Sequence, residues 1–352
     1  MVYLLFFLAS WEVLNVPTNE NLYRVCFVDS QHGWAVGSNG TIVVTSNGGN
    51  NWTFQSSPTN YDLHDICFID MSYGWACGWS DAAIGDGVII ATINGGNYWD
   101  YQTGVGEVGY TAGIDFINQN YGWAVGYHYI DLTTMVSRTS NSGNTWIHTE
   151  LGLGSYLKGV DFLNSSTGFA CGTNGLLIKS TDGGVNWSSI PTGISTTLYD
   201  IQAFDDNHII VAGDTFLFTT DGGANWTFRD IGNLRSLSFL DFSEGWVCGD
   251  LGIFRTQDTG RTWVEETTAA TPKFNSIQMI DSNHGFCAGD YGVLLRRVAP
   301  PAITESEGQR ITDKNNQSFG IYDITGRRVL KTERGIYFIV DRKGVRKVVK
   351  LE

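Results

Sequence analysis

The chain has 352 residues and a net charge of −14, from 22 Lys and Arg against 36 Asp and Glu, with 42% hydrophobic residues, 43 Gly and 6 Pro. That length suits one large domain with ample core and a second, small one. Residues 1–298 hold 11 basic and 29 acidic side chains, a balance that argues against nucleic acid as partner because phosphate binding needs a positive surface.

In chain order, residues 2–9 read VYLLFFLA, a run too short to span a bilayer. It is expected to be the remnant of a signal peptide over residues 1–10, cleaved near Ser10; a buried leader strand is the other reading. Residues 11–29, WEVLNVPTNENLYRVCFVD, align residue for residue with 52–70, WTFQSSPTNYDLHDICFID.

Residues 33–52, GWAVGSNGTIVVTSNGGNNW, form the unit that recurs. Trp34, Val36, Ile42 and Val44 lie in short aromatic and β-branched runs broken by SNG and NGG, the pattern of strands joined by tight turns. Paired glycines permit positive φ there, and the preceding Asn or Asp bonds the turn's own amides. Copies of the turn end at Trp52, Trp99, Trp146, Trp187, Trp226 and Trp263. The GW element recurs at Trp34, Trp75, Trp123 and Trp246, and is altered at Phe169, Ile210 and Phe286. Its spacings of 41, 48, 46, 41, 36 and 40 residues are those of four-stranded propeller blades. Seven such positions against six complete turns leave one blade without its outer strand. The strand at Trp11 is expected to complete the blade begun by residues 274–298, which closes the ring and removes an exposed sheet edge.

The six cysteines follow blade columns, with Cys77, Cys171 and Cys248 in one and Cys26 and Cys67 in another, so they read as small buried hydrophobes rather than disulfide partners. No CxxC occurs, and neither a metal nor a cofactor is expected. The chain also lacks HExxH, GxSxG and a P-loop, and its GxGxxG at Gly104, Gly106 and Gly109 precedes a strand instead of a helix.

Two places on one face of the disk are candidate binding sites. Blade two carries the long loop 79–87, blade three carries 127–135, and the linker between them is 101–110. They bring together Trp79, Asp81, Asp86, Tyr101, Tyr110, Tyr127, His128, Tyr129 and Asp131, aromatics and carboxylates suited to stacking on a sugar ring or gripping a peptide. The competing reading is that the loops pack on each other and bury the rings. The second place is the channel mouth, where the first strands begin with Tyr23, His64, Lys158, Tyr199 and Arg235; the next residue in the first blade is Arg24. A ring of this kind usually holds water, though Arg24, Lys158 and Arg235 suit an anionic group.

After residue 298 the character changes: 299–318 reads as a polar linker, and 319–352 as two hairpins turning at Thr325-Gly326 and at Arg342 to Gly344.

The turn TxDGGxxW resembles the Asp-box, also called the bacterial neuraminidase repeat, and its pairing with GWAVG over residues 11–298 is similar to the photosystem II assembly and stability-factor propellers. The resemblance implies a seven-bladed propeller, the number that counting reaches. Asp182, Asp221 and Asp258 then cap turns away from any ligand. IYDITGRRV followed by GIYFIV and a Lys-rich strand resembles the C-terminal sorting domain of type IX secretion, which implies export and attachment through that machinery. Sialidases share the Asp-box, but the arginine triad and Arg-Ile-Pro segment that such a likeness would require are missing.

The resulting expectation is an all-β, seven-bladed propeller closed by an N-terminal strand, with a small C-terminal β domain. It would be monomeric, without a membrane span, secreted or on the outer cell surface, and would bind a protein or glycan without catalysis. A carbohydrate-active hydrolase using carboxylates of the blade two and three loops ranks second. An assembly factor ranks third, because an acidic domain departs from the arginine-rich patch that the family implies.

Overall fold

The structure, a computed structural model, describes residues 10–80, 87–102, 109–266, 273–298, 311–312, 318–323, 335–341 and 344–351. Residues 1–9 of the expected signal peptide, Asp81, Asp86, most of the 299–318 linker and the Thr325-Gly326 turn lie outside them, and Ser10 opens a strand. Two compact units divide the chain, one of Trp11–Arg297 and one that includes Val298–Glu352.

The large unit consists of seven four-stranded antiparallel sheets. Blade one takes Leu22–Phe27, Gly33–Gly37, Ile42–Thr45 and Thr53–Phe54, and the next five repeat that order. Blade seven takes Phe274–Met279, Gly285–Gly289 and Leu294–Val298, and its outer strand is Ser10–Val13 from the other end of the chain. The closure read from the alignment of residues 11–29 with 52–70 is therefore the one observed.

At four of the seven joints, the last of them Phe286 with Phe27 and Trp52 of blade one, three rings weld a blade to the next. The indole of Trp34 stacks on Phe68 of blade two at 3.6 Å, and Trp99 of that blade's Asp-box meets Phe68 edge-on at 5.7 Å. Trp75 with Phe116 and Trp146, and Trp123 with Phe162 and Trp187, repeat the arrangement. Trp34 also donates from Nε1 to the Gly95 carbonyl in the neighbouring Asp-box turn (3.3 Å). The glycine before each Trp is needed for this: a Cβ at Gly33 would sit 2.5 Å from the Phe27 ring.

The Asp-box itself is a self-contained turn. Ser180 Oγ donates to Asp182 Oδ1 (2.9 Å) and accepts from the Gly184 amide (2.8 Å), while Asp182 Oδ1 takes the Asn186 amide (2.9 Å). The Asn186 amide, then the Asn186 side chain and Ser180, hold the Asp182 carboxyl down at about 2. Asp221 and Asp258 are bonded in the same manner.

Closure has a polar latch that residue patterns did not reveal. Arg297, on the last strand of blade seven, is 4% exposed and holds Glu266, 2% exposed, through Nε to Oε2 (2.9 Å) and Nη2 to Oε1 (2.7 Å). Trp11 Nε1 donates to the same Oε2 at 2.8 Å. One carboxylate of blade six thus joins both ends of the ring. All six cysteines are free, five of them buried, and burial pushes the Cys26 thiol up to about 11.

In the other unit, four strands, Ile311–Thr312, Ser318–Asp323, Gly335–Asp341 and Gly344–Leu351, form one meandering sheet. Ser318–Asp323 pairs directly with Gly335–Asp341, with Ile321 opposite Ile339. This departs from a separate first hairpin within 319–330. Among the described residues no helix is long and apolar enough to cross a membrane.

Candidate functional site

The channel mouth is built by a repeated irregularity. Every first strand breaks register once against its neighbour, between Leu22 and Arg24, Leu63 and Asp65, Thr111 and Gly113, Leu157 and Gly159, Leu198 and Asp200, Leu234 and Ser236, and Phe274 and Ser276. The residue inside each bulge is Tyr23, His64, Ala112, Lys158, Tyr199, Arg235 or Asn275, and all seven line one cavity of about 610 Å³. A bulge interrupts strict alternation, so the positions just after Tyr23, His64 and Tyr199, namely Arg24, Asp65 and Asp200, also line it.

Below the mouth, side chains clip one blade to the next. Asp65 accepts the Ile114 amide (2.9 Å), Asp115 that of Phe162 (2.8 Å), Asp161 that of Ala203 (2.6 Å) and Asp200 that of Leu237 (3.1 Å). Arg24 crosses the channel from blade one, with Nε 3.1 Å from Asp65 and Nη1 3.0 Å from Asp200. Burial opposes its charge, but the two carboxylates outweigh burial and raise its pKa. Burial raises the carboxyls of Asp115 and Asp161, and for Asp115 the neighbouring charge of Asp161 adds to it.

The loop platform of blades two and three proves to be continuous with the channel mouth. Trp79, half-buried at the end of Gly74–Trp79, stacks on His64 at 3.4 Å, and His64 stacks on Tyr23 at 4.7 Å. Tyr110 meets Trp79 edge-on at 5.2 Å and Tyr129 at 6.0 Å. Channel mouth and loop platform are therefore one aromatic array across blades one to four. Tyr129 is 42% exposed, and beyond it Ile130 and Leu132 are 70% and 61% exposed. Leu132 holds a left-handed φ of 51°, uncommon for a side chain of its size.

Some expected members fall outside. Tyr127 is 5% exposed and stacks on Tyr156 at 3.8 Å, so it belongs to the packed floor and offers no face to a ligand. Tyr101 lies on the outer strand Asp100–Tyr101 and donates to the Pro58 carbonyl (2.5 Å), so its hydroxyl is tied to the blade one to two linker instead of the array. His128 Nδ1 lies 2.8 Å from Asp131 and 3.4 Å from Glu150. These three groups have donor types that could hold a metal ion, with donor atoms within 4.8 Å of one another. However, the same His and Asp contact clips the loops at Asp29/His32, Asp205/His208 and Asp281/His284.

Tyr156 is the site residue that sequence reasoning missed. It stands two residues before the bulge residue Lys158, as Tyr110 does before Ala112, and that shared column was the available signal. Of the three expected cations, Arg24 is paired as above, and Arg235 lies 3.2 Å from Asp250. Lys158 instead has its Nζ 5.6 Å from the Trp79 ring centre and 5.9 Å from that of Tyr156. Burial lowers its pKa. Burial, with Lys158 adding to it, lowers that of His64 to about 3.

Blades, boxes and closing strand define the chain as a seven-bladed Asp-box propeller. The family described as photosynthesis system II assembly factor YCF48 matches residues 6–103, 138–227 and 185–263, and the chain belongs to that family. A photosystem II assembly lipoprotein Ycf48 from Trichormus variabilis is 46% identical over 43 residues, a stretch spanning 12% of this chain and only 13% of that relative. A solved YCF48 bound to D1 peptide superposes with a TM-score of 0.65 at 21% identity, covering 82% of this chain and 97% of that one. YCF48 from Cyanidioschyzon merolae gives 0.66 at 19% identity, covering 82% and 99%. The family match favours the assembly-factor reading that charge had ranked third. Net charge governs solubility and long-range attraction, and it is a poor guide to family.

Proposed function

We propose that this chain is a non-catalytic binding propeller of the assembly-factor kind, holding an extended segment of a client protein across the array of blades one to four. The carrying observation is that array: Trp79, Tyr110 and Tyr129 in ring contact on one face, beside exposed Ile130 and Leu132. Rings with an apolar body and a polar tip suit a peptide's mixed surface. The relative bound to D1 peptide supports a protein ligand over a glycan. Against hydrolysis, Asp131 of the blade three loop is engaged by His128 at 2.8 Å, and the channel's Asp65, Asp115, Asp161 and Asp200 are committed to backbone amides of the following blade. A secreted or outer-surface setting rests on the tail's resemblance and the expected signal peptide, and protease shaving of intact cells tests it.

The experiment is native capture of clients on the full chain, followed by a tiled peptide array of whatever is captured. Trp79→Ala with Tyr129→Ala should weaken peptide binding by more than tenfold, about 1.4 kcal/mol. Undiminished binding by that variant, or turnover of chromogenic glycosides by the wild-type chain, would overturn the reading.

A further inference from the structure

Lys158 stands apart from the other cations of the channel mouth. Arg24 spans Asp65 and Asp200, and Arg235 reaches Asp250. Among the described residues no carboxylate lies within ion-pair distance of Lys158; two aromatic rings flank it. A half-buried ammonium without a counter-ion is a standing cost that an incoming anion relieves. Its place is not accidental to a floppy side chain, because the Leu157/Gly159 bulge directs residue 158 into the cavity.

A second unused group lines the same cavity. The buried Nε2 of His64 has no hydrogen-bond partner, while its ring is fixed between Tyr23 and Trp79. With its pKa held down at about 3, the imidazole is neutral and able to present an N–H there. A cavity of about 610 Å³ lined by Trp79, His64 and Lys158 is of a size that ligands occupy.

We infer that the pocket between Lys158, His64 and Trp79 recognises a carboxylate carried by the client segment, the ammonium and the imidazole N–H donating to its oxygens while Trp79 and Tyr156 wall the chain beside it. This rests on the reading of the face as a peptide site. It also explains how an acidic domain accepts an anion: the domain's field disfavours free anions, so only a carboxylate attached to a segment gripped by the array is held there. Asp115 and Asp161 lie further along their strands in the same cavity, where burial keeps their carboxyls raised. Two sources share the chemistry, a chain's terminal carboxylate and an Asp or Glu side chain.

The test uses the full chain and three probes of equal length measured by titration calorimetry: acetyl-Gly-Gly-Phe with a free terminus, the same peptide as its amide, and acetyl-Glu-Gly-Phe-amide. At least one carboxylate probe should bind about tenfold tighter than the neutral amide, the scale of a charge-assisted hydrogen bond. Which of the two does so identifies the source. Lys158→Met should abolish the preference and Lys158→Arg should keep it, with melting curves showing both variants folded. Equal binding of all three probes, no binding of any, or a preference that survives Lys158→Met overturns the inference. Equal binding that Trp79→Ala with Tyr129→Ala removes would sink the carboxylate pocket and leave the peptide face standing.

Discussion

Replacing Arg297 with Met removes one half of the latch and strands the other. Glu266 is 2% exposed and takes two guanidinium hydrogen bonds, at 2.7 and 2.9 Å, plus the Trp11 indole at 2.8 Å. Breaking a buried pair from one side costs about 3–5 kcal/mol, because the remaining charge is neither solvated nor paired. The Trp11 N–H stays, which places the expected loss near the lower end, about 3 kcal/mol. For a domain of this size that is roughly 5 °C in melting temperature. Urea denaturation of Arg297→Met, Glu266→Leu and the double variant forms a cycle that isolates the pair. The double variant should recover about 1–2 kcal/mol of that loss, leaving about 1–2 kcal/mol for the orphaned Trp11 N–H. A cost below about 1 kcal/mol for Arg297→Met, or a double variant no more stable than that single one, would refute the idea that this carboxylate holds the ring shut.

Two other perturbations bear on the channel. Arg24→Met leaves Asp65 and Asp200 facing each other without the cation between them, so stability at neutral pH should fall by about 2–4 kcal/mol. The deficit should shrink near pH 4, where protonation removes the repulsion; an equal deficit at both pH values counts against the role given to Arg24. Asp115→Asn tests the buried clips. The fold raises the pKa of Asp115, so it favours the protonated form; its contribution is greatest below the unfolded value of about 3.9 and is lost as pH rises towards the folded value. Asn keeps an acceptor for the Phe162 amide and cannot ionise, so the variant should gain stability on the wild type between pH 4 and 8, as read by thermal melts across that range. A parallel pair of curves would show that the carboxyl titrates alike in the folded and unfolded chain, and would refute its raised pKa.

The propeller was legible because its physics is local and repeated. Trp34, Gly33 and the Asn-Gly-Gly turn each serve a neighbour at fixed spacing, and seven repetitions average out single exceptions such as Ile210. Closure was legible because Trp11 opens a copy of a strand seen elsewhere. The latch was not, since Glu266 and Arg297 are ordinary charged residues until folding brings blades six and seven together. The candidate site was half legible. Loop length pointed to Trp79, Tyr110 and Tyr129, but length alone could not tell a ring on the face from Tyr127, which the pairing of Tyr110 with Tyr127 turns against Tyr156. The bulges were visible in retrospect: Leu22 and Val25, or Leu157 and Val160, are apolar residues three apart, a spacing that an uninterrupted strand does not use.

The split seventh blade also fixes an order of events. Ser10–Val13 leaves the ribosome first, yet the strand it pairs with, Leu294–Val298, is among the last of the ring to be made. Six blades can stack as they emerge, each on its predecessor. The circle can close only when the last strand of the ring has been made, and until then the first strand waits unpaired and the sixth blade lacks its neighbour. Closure is thus a late, long-range capture, slow by the measure of loop entropy and exposed to edge-to-edge association while it waits. A protein built of near-identical local units therefore carries its folding hazard in one place, where its two ends must find each other.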